Sequence, residues 1–555
     1  MITNKYVTAI TVALSCLCLI VCGFIASGVN ATDGAKITEY QKRLFGDEVI
    51  TLDIRVDQSE WQNLLDNALD KEWISGDLVI NGERFSTVGI RTKGNSSLSQ
   101  VASSNSNRYS LEFEFNKYIK GQTYYGLDTL CINNLLGDAT YMKDYLAYKI
   151  MEYIGVPTPL VNYASVTVNG EDYGFCLALE RYDKAFLGRA YNTSGGQLYN
   201  VKIQMGQRGN FEDMWQDIAN GFPGQQGGQR NRPPGSMAGF GNGQSGGGSL
   251  IYTDDNISSY GAIFNNAVFG NNSDKDKQRV INALKNLSAG TDLEQYFDVD
   301  EILRYFAAHT VVVNLDSYIS NMQQNYYIYE QDGKISILPW DYGLAFGGYQ
   351  SGSASDFVNF PIDTPVSGVS MEDRPLLSKL LEVDEYLERY HDYLRQIVEG
   401  YFESGLFESA INQLDMKIDE YVQSDISSFY TYEQYKAALP VFVELGRLRA
   451  ESIKGQLNGT IPSTSSGQIA DSSSLIDASG INLAILGSLG GGMGQEAFGG
   501  AQGGFPGGQD RQPSEWNGQL DRPDGVMPVP DEFIGGPGGN PRGDGFSTPD
   551  GLILP

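Results

Sequence analysis

The chain is poor in the residues that build the commonest metal and nucleophile sites. Among its 555 residues there are two histidines, His309 and His391. A centre with three histidine ligands is therefore excluded, and neither histidine sits in a recognisable Ser-His-Asp motif. Of five cysteines, Cys16, Cys18 and Cys22 fall in the N-terminal apolar run, leaving Cys131 and Cys176 for the rest of the chain. No CxxC pair occurs, so a zinc ribbon or a thioredoxin-type site is excluded. Nothing requires Cys131 and Cys176 to pair. Positive charge is scarce as well: 39 Lys and Arg stand against 68 Asp and Glu, a net charge of −29, and no lysine follows Lys454. Such a chain repels phosphate backbones, which argues against nucleic acid as a partner and favours basic proteins and divalent cations.

Glycine is the residue in excess, and the excess is local. Residues 221–248 and 461–555 together hold half of the 66 glycines. There is no Gly-X-Y period, which excludes a collagen-like chain. Both segments are expected to be Gly/Gln/Pro-rich and disordered, one an insertion and the other an acidic tail. At the other end, Lys5 precedes an uncharged apolar run over 7–26, and Val29-Asn30-Ala31 fits a small-x-small cleavage site. Residues 1–31 are read as an export signal, either cleaved or kept as an anchor in the membrane. In both cases the body, residues 45–460, lies outside the membrane.

The body predicts an α+β fold. Residues 50–56 alternate like a strand, and 58–69 carry helical spacing. Asn81-Gly82, Asn169-Gly170 and Asp332-Gly333 each separate two β-rich runs and predict three hairpins, hence antiparallel sheet. Residues 138–154, 298–313, 374–402, 405–422 and 432–457 predict helices. Asp298 and Glu301 have capping-box spacing. The order, β-rich first and helical later, suggests two lobes with a cleft between them.

The residues that carry chemistry cluster between 314 and 348. Asp316 follows an apolar helix, and Asp341 follows a strand and precedes Gly343 and Gly347. Two loop carboxylates so placed suit a metal and a general base. Each could equally cap a turn. Asp316 and Asn321 have the five-residue spacing of a kinase catalytic Asp and metal-binding Asn, and Asp341-Tyr342-Gly343 has the form of the kinase Asp-x-Gly triplet. Paired carboxylates are also compatible with a carbohydrate-active enzyme.

Several ordered motifs resemble the CotH family, the spore coat protein H-like atypical protein kinases. These are Gly89-Ile90-Arg91-Thr92-Lys93-Gly94-Asn95-Ser96-Ser97, Met142-Lys143-Asp144-Tyr145-Leu146-Ala147 and Gly155-Val156-Pro157-Thr158-Pro159. They continue with Val168-Asn169-Gly170 followed by Tyr173-Gly174 and Glu180, then Asp316-Ser317-Tyr318, Asn325-Tyr326-Tyr327 and Pro339-Trp340-Asp341. The resemblance implies a kinase-like two-lobed domain that uses ATP and Mg²⁺ (or Mn²⁺) to phosphorylate Ser/Thr of a surface or spore coat protein. It makes Asp316 the candidate catalytic base and Asp341 the candidate metal ligand, with Asn321 or Asn325 as a second ligand. Arg91 and Lys93 become candidates for the ATP phosphates, or a strand-end ion pair. Glu180 becomes a candidate cofactor contact near a hinge, or an ordinary salt bridge. The chain departs from the family pattern at Gly343, where many members carry a second acidic residue, and it has no G-x-G-x-x-G loop. From net charge alone, the protein substrate is expected to be basic and Ser-rich. ATP is scarce outside cells, so export favours the alternative of a kinase-like binding or assembly protein.

Overall fold

The computed structural model describes residues 38–202 and 246–487, all within one compact unit. The 7–26 run, the cleavage site, most of the 221–248 insertion and the tail from residue 488 lie outside the described residues. Among the described residues no helix is long and apolar enough to cross a membrane.

The first half is built on a closed barrel. Its strands are β1 (Ile50–Arg55), β2 (Ile74–Ile80), β3 (Glu83–Thr92), β4 (Leu111–Glu114), β5 (Thr129–Asn133), β6 (Val161–Val168) and β7 (Glu171–Glu180), in the order β1-β2-β3-β4-β5-β7-β6. Alternate residues of β1 point inward, so Leu52 and Ile54 meet Leu78, Ile80 and Ile90 in the core. The hairpins at Asn81-Gly82 and Asn169-Gly170 form as predicted. Each Asn and Gly adopts positive φ (50° and 84°, then 53° and 83°), the backbone of a tight primed turn. The sheet is not purely antiparallel, however. β1 runs parallel to β6, with Ile50 opposite Ala164 and Ile54 opposite Val168, and this pairing closes the barrel. Closure removes both sheet edges.

The third predicted hairpin belongs to a separate sheet. β8 (Gln197–Val201), β9 (Ala267–Phe269), β10 (Tyr326–Gln331) and β11 (Lys334–Pro339) are ordered β11-β10-β8-β9. Helices pack around it. α1 (Gln58–Asp66) and α2 (Ser96–Ala102) flank the barrel, and α3 (Lys143–Tyr153) connects it to the rest. α4 (Asp274–Ala289) and α5 (Val299–Val312) follow. The side chain of Asp298 accepts from the Glu301 N–H (3.3 Å) and caps α5. Residues 374–402, read as one helix, are broken: Pro375–Leu381 ends before Val383, whose extended backbone (φ −96°, ψ 115°) starts α6 (Asp384–Ile397). α7 (Leu406–Ser424) and α8 (Tyr432–Leu457) complete the helical part.

Two expectations about the Gly-rich segments need correction where they reach the described residues. Gly246 O accepts from Ala262 N (3.0 Å) and Gly248 O from the Tyr326 hydroxyl (2.8 Å), so the end of the insertion is built into the body. Residues 461–487, read as the start of the tail, pack on the body as well, with Leu486 fully buried. Apolar residues there (Ile461, Ile476, Leu483, Leu486) cover apolar surface of the body.

Candidate active site

A cleft of about 310 Å³ lies between the barrel and the second sheet. The barrel side supplies Arg91 at the end of β3, Lys93 just beyond it, Glu112 on β4 and Asn133 on β5. The opposite wall supplies Asp316, Gln324, Asn325 and Asp341. Arg181 and Lys202, after β7 and β8, and Lys71 join the same cleft.

The acidic wall rests on α5. This helix ends at Val313, whose positive φ (47°) turns the chain sharply. Asn314, fully buried, then donates from Nδ2 to Asp341 O (2.9 Å) and accepts at Oδ1 from Asp316 N (3.1 Å). One side chain thus fixes the backbone of both candidate carboxylates. Asp316 accepts from Gln324 Nε2 (2.7 Å) at one oxygen and from Asn325 Nδ2 (3.0 Å) at the other. Burial raises its pKa to about 6; the nearby Asp341 adds to the rise, while Gln324 and Asn325 oppose it. Asn325 reaches this place through positive φ (59°), and its carbonyl accepts from Trp340 N (3.2 Å).

Asp341 also holds positive φ (60°), a backbone uncommon for a residue with a side chain. Its N–H donates to the Tyr148 hydroxyl (3.0 Å). The side chain is open to the cleft; the surrounding protein raises its pKa, and Lys93 and Lys202 oppose that rise. Below it lies Asp144, nearly fully buried, accepting from Tyr342 N (2.8 Å) and Asn133 Nδ2 (3.2 Å). Burial, reinforced by Asp341, raises Asp144 to about 7.

His309 of α5 bridges the two loops from behind. It is fully buried, with Nδ1 2.7 Å from the Tyr342 hydroxyl and Nε2 3.1 Å from Ser317 Oγ. Ser317 donates its own hydrogen to Asn314 O (2.6 Å), which leaves Nε2–H as the donor and Nδ1 as the acceptor.

On the cationic side, Arg91 donates to both oxygens of Glu112 (3.1 Å each) and lies 4.4 Å from the Trp73 ring centroid. Among the described residues its Nε is buried without a hydrogen-bond partner. Lys93 donates to Asn133 Oδ1. Arg181 lies 5.4 Å from the Trp340 ring centroid. Burial lowers Lys202 to about 8, and Arg181 pushes in the same direction.

Asp316, Asp341, Asn325, Arg91 and Lys93 are therefore brought together. Asn321 does not line the cleft. Glu180 does not line it either; of its two readings, cofactor contact or salt bridge, the salt bridge is the one observed. It is fully buried, and its oxygens accept from Arg189 (2.6 Å), the Tyr40 hydroxyl (2.6 Å) and Leu160 N (3.0 Å). That carboxylate ties β7 to its neighbours and has no lone pair facing the site. Asp144, Asn133, Arg181, Lys202 and Gln324 were not singled out by the sequence. Only Asp144 lay within a quoted motif; the others come from separate elements. Among the described residues Cys131 and Cys176 are unpaired and fully buried, and burial raises their thiols to about 11 and about 12, which disfavours the nucleophilic thiolate at neutral pH.

Among the described residues no group of three or more His, Cys, Asp and Glu could hold a metal ion. One or two carboxylates are nonetheless what Mg²⁺ uses when phosphate oxygens and water complete its shell. The oxygen donors present, with the open carboxylate of Asp341 foremost, fit that arrangement.

Fold and cleft together define an α+β protein whose site sets loop carboxylates against a cluster of cations. The chain belongs to the CotH kinase protein family, which it matches over residues 90–453. It is 21% identical over 345 residues to the inner spore coat protein H of Bacillus subtilis (strain 168), covering 61% of this chain and 82% of that protein.

Proposed function

We propose that the protein is an atypical protein kinase that transfers the γ-phosphoryl group of ATP to Ser or Thr of a spore coat or surface protein. The observation that carries this reading is the gathering of five cations, Lys71, Arg91, Lys93, Arg181 and Lys202, around Asp316 and Asp341 in one cleft of a chain with net charge −29. Phosphoryl transfer requires positioning and charge neutralisation more than covalent chemistry by the protein, and this cleft offers both. In this reading the barrel is one lobe of a kinase-like fold, and the second sheet with its helices is the other.

Lys93, Arg91 and Lys202 hold the phosphates. Asp341, with Asn325, would hold Mg²⁺ or Mn²⁺, which supplies further neutralisation of phosphate charge when bound. Asp316 orients the acceptor hydroxyl and takes its proton. A new bond forms between the acceptor oxygen and the γ-phosphorus; the bond from that phosphorus to the bridging oxygen breaks, and ADP leaves with the electron pair. Asn314 keeps the base and the metal ligand in register.

The test is incubation of the full chain with labelled ATP, Mg²⁺ or Mn²⁺, and a Ser-rich basic protein. Asp316→Asn and Asp341→Ala should each lower incorporation by about 10²–10⁴-fold, with unfolding midpoints near that of the parent. Incorporation by the parent no greater than by Asp341→Ala overturns the reading. It would leave a kinase-like binding or assembly protein, the role that Gly343 in place of an acidic residue favours.

A further inference from the structure

Residues 461–487 lie beyond the span that matches the family, yet they fold back over the site-bearing segments. Asn359 grips this stretch at Ile476 twice, donating from Nδ2 to Ile476 O (2.8 Å) and accepting at Oδ1 from Ile476 N (3.0 Å). Ser355 Oγ accepts from Ala478 N (3.0 Å). The chain then makes a 3₁₀ turn over Leu483–Leu486. Leu483 packs on the loop that follows Asp341: a methyl group at Gly347 would come within 3.0 Å of it. Leu486 O accepts from Ala139 N (3.1 Å), and Gly487 O accepts from Lys143 Nζ (2.9 Å).

Lys143 is the junction. It is fully buried, also donates to Gly137 O (3.3 Å), and immediately precedes Asp144 at the start of α3. Its main-chain N–H donates to Asp138 Oδ2 (2.8 Å). Without residue 487 the buried ammonium would lose its shorter carbonyl contact, and an underpaired buried charge is costly. The start of α3 as observed therefore depends on this segment. On the cleft side Asp144 in turn accepts from Tyr342 N, next to Asp341. The two site segments, 137–146 and 341–348, are thus joined to each other on the cleft side and to residues 483–487 on the other.

We infer that residues 476–487 form a strap that completes the site, with Lys143 as a positioning residue that transmits the strap's hold to Asp144 and, through Tyr342, to Asp341. The catalytic part of this inference rests on the kinase reading; the mechanical part does not.

The test uses full-chain Leu486→Ala, its conservative partner Leu486→Met, and the milder Leu483→Ala. Amide hydrogen exchange is read segment by segment, beside steady-state transfer to the basic protein. In both alanine variants, amides of 137–146 and 341–348 should exchange about 10-fold faster while those of α4, which does not pack on the Leu483–Leu486 turn, are unchanged. The value of kcat should fall about 10-fold with KM for ATP nearly constant, because misplacement acts on the reacting geometry. Leu486→Met should restore both. Faster exchange confined to 478–487 would overturn the inference, since the strap would then be only a cover. Uniform acceleration that includes α4 would overturn it too. If Leu486→Ala fails to fold, Leu483→Ala decides by the same criteria. A parent chain without transfer activity would defeat the kinase reading alone, because the exchange result needs no turnover.

Discussion

Gly343 leaves an unfilled place in the cleft wall. A Cβ built there meets no atom within 4 Å, and its backbone is not in the positive-φ region. An acidic side chain therefore fits without strain, two residues from Asp341. Cation affinity at oxygen sites rises with the number of charged ligands. Gly343→Asp should fold with stability changed by about 0.5 kcal/mol or less. It should bind Mg²⁺ without nucleotide about 10-fold more tightly than the parent by calorimetry. An unchanged Mg²⁺ affinity would show that Asp341 does not face a metal position. His309 makes the second residue-scale case. Burial lowers its pKa from 6.5 to about 3, so it stays neutral in the folded protein. Above pH 6.5 both folded and unfolded forms are neutral and nothing is gained or lost. Below it the unfolded chain takes up a proton that the folded chain refuses, so stability falls as pH falls, by about 1.4 kcal/mol per pH unit. Buried acids such as Glu301, raised to about 7 by burial, act in the opposite sense. The comparison with His309→Gln isolates the histidine: urea unfolding at pH 6 and pH 5 should show the parent losing about 1.2 kcal/mol relative to the variant. Parallel profiles would mean that the imidazole is protonated in the fold. The scarcity of histidine in this chain thus says nothing against its importance: one of the two ties Ser317 to Tyr342, behind the candidate base and the candidate metal ligand.

At the scale of elements, the hairpins are the most legible feature, because the Asn-Gly and Asp-Gly signals act over two residues. At Asp332-Gly333 the φ values are 53° and 92°, and the space around a Gly333 Cβ is empty. Gly333→Ala therefore introduces no clash, only an L-residue in the left-handed region, at a cost of about 1–2 kcal/mol. Chemical denaturation should show that loss; an unchanged midpoint would mean the turn relaxes freely. Barrel closure was not legible, since β1 and β6 are joined in parallel by residues more than a hundred positions apart, and no local pattern encodes such a pairing. The break at Val383 was hidden inside a continuous helical period. The candidate site was legible where it follows a loop motif, as at Asp316 and Asp341. It was illegible where separate strands each contribute one residue, as at Lys202, Arg181 and Asn133. Glu180 illustrates the converse, because, of its two readings, the salt bridge is the one observed. Its motif position is real, but Arg189 from a neighbouring helix claims the carboxylate, and that partner could not be read from the hairpin alone.

At the scale of the whole molecule, the kinase reading has charge act on its two proposed substrates differently. The net charge of −29 spreads over the chain, whereas the cleft holds five cations and five acids (Glu112, Asp138, Asp144, Asp316 and Asp341). A basic acceptor protein is drawn by the long-range field, which salt screens with a Debye length of about 10 Å at 0.1 M. On the same reading ATP would be repelled by that field at a distance and held by cations at contact distance, where screening is weak. Raising ionic strength from 0.05 M to 0.5 M (both on the order of ordinary assay buffers) should therefore raise KM for a basic acceptor several-fold, while kcat and KM for ATP change little. Steady-state kinetics over a salt series, with an acidic Ser-rich acceptor as the control, checks this. A basic acceptor whose KM ignores salt would mean that recognition is local and apolar. In that case the acidity of the chain would serve something other than substrate capture, such as keeping a Gly-rich chain soluble. The expected result would instead make the acidity part of the proposed kinase, with the body's field selecting the acceptor and the balanced cleft admitting the nucleotide.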